Sequence, residues 1–280
     1  MAKELTARGT VDVLRRETKM NGVSFRLAFF APANGLTKAL WERYDANRLT
    51  VVRQLHHSES HPGDSLDVTL FVNGIPTATA ELKNQLTSQT VADAIKQYQD
   101  DRAPSDLIFR HRAVVHFAVD PSQVYMTTRL AGKNTRFLPF NQGSGGAGHK
   151  GGAGNPTNPD GYATAYLWER VWQPDAWLGL LGEYVHVEDV FDADGKKTGD
   201  TITLFPRFHQ WDAVQKLLAA TKAAGPGPDR LIEHSAGSGK SNTIAWTAHH
   251  LSRLHTPSLH GDLTDQVKAA GLGIDQPIFN

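Results

Sequence analysis

The sequence predicts a mixed α/β protein: a mixed sheet with flanking helices, followed by a second α/β region built on a glycine loop. Three stretches carry that prediction. Ser65 to Asn84 reads as two strands around Asn73-Gly74, a strong short-range hairpin signal. Val91, Ala94, Ile95 and Tyr98 then recur at helical spacing and lay an apolar stripe on that sheet. Arg230 to Glu233, a short strand, runs into a glycine loop and a helix expected to reach Leu254.

Composition bounds the rest. The 280 residues give a length prior of about two domains, each large enough to bury a core. Lys and Arg number 29 and Asp and Glu 29, so no global basic field advertises nucleic acid, and any DNA contact must come from local patches. With no cysteine there are no disulfides or thiolate zinc sites, which suits a reducing compartment. The first residues lack the apolar core of a signal peptide and no run approaches a membrane span; a soluble, cytoplasmic protein is expected.

In chain order, Val23 to Phe30 is a strand candidate, Leu36 to Tyr44 a short helix, and Leu49 to Arg53 a strand. His56, His57 and His61 match no standard zinc spacing and read as a solvated loop. Thr87 or Ser88 is expected to cap the helix after the hairpin. Ala113 to Val119 and Val124 to Thr128 follow as strands, and Arg129, Lys133 and Arg136 form a basic cluster on a solvated face. Asn141 to Gly161 is glycine-rich and poor in core residues, so it reads as a flexible loop or linker. Tyr162 to Trp172 and Pro174 to Leu181 read as two short helices, with Trp168, Trp172 and Trp177 packing in a core or between domains. Tyr184 to Phe191 and Thr201 to Phe205 bracket a polar turn.

The hairpin carries the first chemistry. Asp67 is followed, after thirteen residues, by Glu81-Leu82-Lys83. Glu81 and Lys83, two apart on a strand, share a face. If Asn73-Gly74 were a plain two-residue loop, Asp67 would oppose Ala80, and Glu81 would point the other way. A bulge or a three-residue loop is therefore expected, with Gly74 and Pro76 as its agents. Asp67, Glu81 and Lys83 then converge: two carboxylates to hold Mg²⁺ and a lysine to position or activate a water, the chemistry of phosphodiester hydrolysis. Val68, Leu70, Val72, Ala78, Ala80 and Leu82 make both strands look buried, and buried charges persist only when paired or bound.

The second chemistry lies near the end. Phe208-His209-Gln210 opens a helix with Trp211, Val214, Leu217 and Leu218 on one side. After Gly225-Pro226-Gly227-Pro228 comes the strand and then His234-Ser235-Ala236-Gly237-Ser238-Gly239-Lys240-Ser241. In a P-loop the backbone N–H groups of Gly237, Ser238 and Gly239 hold phosphates, Lys240 reaches the β/γ-phosphates of ATP, and Ser241 ligates Mg²⁺. The strict pattern wants Gly where His234 stands; a looser loop of the superfamily 2 helicase type fits.

The runs ATAELKNQLTSQTVADAIKQYQDDR, VHFAVDPSQVYMTTRLAGKNTRFLPFN, GGAGNPTNPDGYATAYLWERVW, FPRFHQWDAVQKLL and HSAGSGKSNTIAW together resemble the restriction (R) subunit of type I restriction–modification enzymes. The resemblance covers nearly the whole chain. It implies a PD-(D/E)XK endonuclease domain over 1–140, a flexible loop and connecting region over 141–205, and the start of a RecA-like helicase motor over 206–280. Asp67 and Glu81 would be the metal ligands and Lys83 the catalytic lysine. Relatives carry Gln-x-x-x-Tyr after that lysine; here Ala94 stands four before Tyr98, so Gln97 and Tyr98 are candidate DNA-side or site-support residues only. Gln210 is similar to the glutamine that reads adenine in many such motors, with a helix cap as the alternative. Implied partners are double-stranded DNA and the modification and specificity subunits, with no membrane. Lacking the family's Walker B acid and second motor lobe, these 280 residues are expected to bind Mg²⁺·ATP weakly without efficient turnover, to be a piece of a longer protein, and to order poorly over the last fifty residues. Two other readings stay open: a free-standing Mg²⁺ nuclease with a vestigial P-loop, and a catalytically silent DNA- or nucleotide-binding fragment.

Overall fold

The structure, a computed structural model, describes residues 1–254 apart from Asn34, Leu36, Gln85, Thr87 and Pro226, and the side chain of Met20. It falls into two compact units, Met1–Phe30 with Asn47–Arg207, and Ala31–Ala46 with Phe208–Asn280. The stretch 141–205 thus lies inside the first unit.

That unit opens with helices α1 (Ala2–Arg8) and α2 (Thr10–Arg15), then a small hairpin, β1 (Thr18–Met20) against β2 (Val23–Phe25). The expected strand Val23 to Phe30 is cut to three residues. Phe29 gives its N–H to the Asn47 side chain (3.1 Å) and accepts that side chain's amide on its C=O (2.6 Å), so an amide replaces the strand neighbour. Helix α3 (Lys38–Asp45) belongs to the second unit and stands where a short helix is expected.

The centre of the first unit is a six-stranded sheet. Its spatial order is β3 (Leu49–His56), β4 (Ser65–Val72), β5 (Ile75–Leu82), β6 (Val115–Val119), β7 (Val124–Thr127) and β8 (Leu138–Pro139). Neighbours are antiparallel except β5 and β6, which are parallel and therefore need a crossover. The crossover consists of α4 (Val91–Lys96), a π-helical turn (Gln97–Asp101) and α5 (Leu107–His111). Its cap is not at Ser88, and Thr87 lies outside the described residues. Thr90 takes that role: its N–H donates to Asp93 Oδ2 (2.7 Å), and the next amide, of Val91, donates to Asp120 Oδ2 (2.8 Å).

Every residue of β6 is buried, and neighbours on it serve opposite faces. His116 meets Tyr98 and Phe109 on the crossover side, while Phe117 meets Phe140, Trp172 and Phe205 on the other. The second layer is built from a π-helical turn (Leu167–Val171), α6 (Pro174–Gly179) and a further π-helical turn (Leu180–Tyr184). Trp177 is buried and donates from Nε1 to Thr77 Oγ1 (3.0 Å), whereas Trp168 is partly exposed. Arg15 closes the end of this layer by donating to the carbonyls of Leu181 (2.8 Å) and Val185 (2.7 Å).

The glycine-rich stretch 141–161 is a hydrogen-bonded loop, not a linker. Gly143 and Ser144 donate backbone bonds to Gly154 and Gly152 (2.8 and 3.0 Å). At its base, the Asn155 amide donates to Asn141 Oδ1 and to the Ser122 carbonyl, both at 2.9 Å. Composition misses this because two asparagine side chains, rather than an apolar core, hold the ends together. Strands β9 (His186–Phe191) and β10 (Lys197–Leu204) then form an exposed hairpin.

In the second unit α7 (Phe208–Ala224) buries Phe208, Gln210, Trp211 and Val214, and α8 (Lys240–Leu251) follows the glycine loop. Arg230 to Glu233 does not form the expected strand, and Leu231 is 94% exposed. A P-loop strand is buried between sheet neighbours, and no described residue of this unit is in a strand. The chain's last residues, Gln276 to Asn280, and the rest of 255–280 lie outside the described residues, so the expectation of poor order there is not addressed. Among the described residues no helix is long and apolar enough to cross a membrane.

Candidate active site

The β4–β5 hairpin turns on two residues, Asn73 (φ 50°) and Gly74 (φ 82°), the left-handed pair that suits the twist of flanking strands. Leu70 pairs with Ala78 but Phe71 with Pro76, so Thr77 is the extra residue of a bulge. The bulge the parity argument requires is present, at Thr77 rather than Gly74. Thr77 Oγ1 donates to the Leu70 carbonyl (3.1 Å) and accepts from Trp177, which holds it in place. Below it Val68 pairs with Ala80, and the next step of the register sets Asp67 across from Glu81.

There the strands part. Lys83 N–H donates to Val119 of β6, so Leu82 N–H faces β4; it is taken by Asp67 Oδ2 (2.8 Å), a side chain where a ladder would put a carbonyl. Asp67 Oδ1 accepts from Gln54 Nε2 (2.9 Å), and Gln54 has a left-handed backbone (φ 50°). Leu66 packs with Tyr98, Ile108 and Phe109, so β4 departs from simple alternation at Asp67. Leu82, expected in the core, is 42% exposed, as the last residue of β5 beside this gap.

Glu81 is fully buried. Its Oε1 accepts from Arg102 Nε (2.8 Å) and Nη2 (2.7 Å), while Oε2 has no hydrogen-bond partner. Burial, with a smaller push from Asp67, raises its carboxyl to about 7 against the opposing charges of Arg102 and Lys83. Arg102 also donates to the Ser65 carbonyl (2.7 Å), and its Nη1 stands 3.7 Å from Asp64. Lys83 Nζ donates to Gln97 Oε1.

The π-helical turn aims three side chains at this place: Gln97 at Lys83, Tyr98 at Thr79, and Arg102, just after the turn, at Glu81. Such single turns recur at functional sites. Tyr98 is not a DNA-side residue. It is wholly buried, its hydroxyl lies 2.8 Å from Thr79 Oγ1, and burial raises its pKa. Thr79 also meets His116 Nδ1 (2.8 Å), a ring that burial keeps neutral, its pKa lowered to about 3. Gln97→Leu should therefore lower the rate of any lysine-dependent chemistry about tenfold and leave melting near wild type, since Gln97 is half-buried. Tyr98→Phe should do the reverse, costing about 1 kcal/mol of stability through the lost Thr79 bond. Paired melting and rate measurements separate the two.

Sequence reasoning missed Arg102. The signal was a buried carboxylate needing a counter-charge, but no spacing rule selects a partner across a π-helical turn. It also misplaced His57, whose ring is 1% exposed, edge-on to Phe109 and 3.5 Å from Asp106, not solvated. Burial and Arg102 depress its pKa. His56 and His61 are exposed as expected.

Among the described residues no group of three or more His, Cys, Asp or Glu is placed to hold a metal, so an ion held by Asp67 and Glu81 would have to complete its shell from water or phosphate. The residues fit Mg²⁺ in one specific respect: Glu81 Oε2 is a hard oxygen donor, buried and unsatisfied.

In the second unit Gln210 is buried and its Nε2 donates to the Gly239 carbonyl (2.9 Å). Gly237 and Gly239 have left-handed backbones (φ 71° and 79°), Ser238 is buried, and Ser241 is exposed. Lys240 Nζ donates to the carbonyls of His234 and Ser235, both at 3.1 Å, and so folds over the loop.

A mixed sheet with flanking helices and a carboxylate–lysine group where one hairpin splits is compatible with a nuclease-type core. Residues 28–135 match the family described as the N terminus of the type I restriction enzyme R protein. The match spans the hairpin, the crossover and all of Asp67, Glu81, Lys83, Gln97 and Arg102. No curated protein matches the chain.

Proposed function

We propose that the chain carries the Mg²⁺-dependent double-strand endonuclease site of a type I restriction subunit, with Asp67 and Glu81 as metal ligands and Lys83 as the catalytic lysine. The observation that carries the proposal is the buried, unsatisfied Glu81 Oε2 at the point where β4 and β5 part, beside Asp67 and within the family segment. When bound, the ion supplies charge stabilisation for the phosphate and lowers the pKa of water. Asp67, fixed by Gln54 and the Leu82 amide, and Glu81, fixed by Arg102, hold their oxygens without rearrangement. Lys83, steadied by Gln97, holds the attacking water. Supercoiled plasmid incubated with the purified protein should be nicked with Mg²⁺, and not with chelator or by Asp67→Ala or Glu81→Ala. Cutting that persists in both variants would remove the site from the reaction.

In the parent enzyme, on this reading, ATP-driven translocation feeds DNA to the nuclease, and the modification and specificity subunits supply recognition in the cytoplasm. Contacts from this chain then go mainly to the DNA backbone. Gly237, Ser238, Gly239, Lys240 and Ser241 would cradle Mg²⁺·ATP, with Gln210 against the loop. The unpaired Arg230 to Glu233 stretch favours binding without turnover by these residues. Calorimetry should show weak Mg²⁺·ATP binding that falls about tenfold or more in Lys240→Ala; equal binding by the variant would remove the loop from this role.

A further inference from the structure

We infer that Arg102 is a positioning residue of the nuclease site: it clamps Glu81 through Oε1 and so presents Oε2 alone to a divalent cation. The inference rests on the nuclease reading above. The Arg102 side chain is 4% exposed and spends its donors on three residues at once. Nε and Nη2 meet the same oxygen of Glu81 at the end of β5, Nη2 meets the Ser65 carbonyl at the start of β4, and Nη1 faces Asp64 before it. The ladder between β4 and β5 stops at Val68 and Ala80, so the guanidinium ties together two strands that no longer pair.

Such an arginine is not a mobile counter-ion that leaves when a metal arrives. It is anchored to a backbone carbonyl on the far side. A planar fork on a single carboxylate oxygen fixes the rotation of the carboxylate and leaves one free oxygen. An ion pair that served stability alone would gain from satisfying both oxygens. Here one is left buried and bare, which costs free energy unless a ligand meets it. The same clamp makes Glu81 a one-oxygen ligand, since Oε1 is already engaged twice.

The test is calorimetric binding of Mn²⁺ to the purified protein, beside Arg102→Lys, Arg102→Gln and Glu81→Gln, with melting in chelator as the control for folding. Lysine keeps the charge and loses the fork. Arg102→Lys should fold and bind Mn²⁺ about tenfold or more weakly, as is usual when the group that orients a ligand is lost. Binding at wild-type strength or tighter in Arg102→Lys would overturn the inference, and so would failure of both Arg102 variants to fold, which would make the pair structural. If wild type and Glu81→Gln bind alike, the metal reading itself fails. Binding that is lost in Glu81→Gln but intact in Arg102→Lys sinks only the clamp.

Discussion

Lys83→Ala should cut DNA at least about a hundredfold more slowly than wild type while binding divalent metal at close to wild-type strength. The two functions separate because they lie on different atoms. The oxygens proposed to meet the metal belong to Asp67 and Glu81, which are held by Gln54, the Leu82 amide and Arg102 and make no hydrogen bond with Lys83 Nζ. Removing a positioned lysine takes away a charge and a proton-handling group in the transition state, worth about two to four orders of magnitude for a general acid–base residue. It leaves no carboxylate unpaired, so melting should move little. Single-turnover nicking, with Mn²⁺ calorimetry alongside, checks the split; a Lys83→Ala protein that cuts normally would remove the lysine from the mechanism.

The second large effect is on stability. Glu81 titrates near 7 in the folded, metal-free protein and near 4.5 when unfolded, because burial outweighs Arg102. A group whose folded pKa is raised contributes stability that is fully present below the unfolded value and is lost as pH rises through the folded one. Melting in chelator should therefore fall between about pH 5 and 8, by an amount on the order of 3 kcal/mol for this group. Glu81→Gln keeps an oxygen for Arg102 and cannot ionise, so its stability should vary much less over the same range and exceed wild type at pH 8. Added Mn²⁺ should restore wild type at the alkaline end, since the cation meets the charge that burial penalises. A wild-type protein whose melting in chelator is flat from pH 5 to 8 would mean that Glu81 is not held as described.

The parts of this arrangement that could be read from the chain are local. Asn73-Gly74 fixes a turn by the backbone freedom of two residues, and the parity between Asp67 and Glu81 then demands a bulge. Its position depends on Trp177, 100 residues away, which no local pattern reveals. Helix α4 was legible from its apolar spacing, but the π-helical turn was not, because it is set by what Gln97, Tyr98 and Arg102 each reach in the sheet. Tyr98 shows the difference. Its place on the apolar stripe suggests the core, as found, while analogy with a family pattern suggests a DNA-side or site-support role. Strand predictions failed where apolar alternation lacked a neighbour to pair with, at Phe29 and at Arg230 to Glu233. The second unit's glycine loop keeps its left-handed residues and its helix, without a strand before it.

Calorimetric titration of Mg²⁺ into the purified protein, wild type against Asp67→Ala, tests the central claim most directly. Binding that disappears with Asp67 would mean that the carboxylates at the split hairpin hold the ion, as proposed. Equal binding by both proteins would place the ion elsewhere and contradict the account.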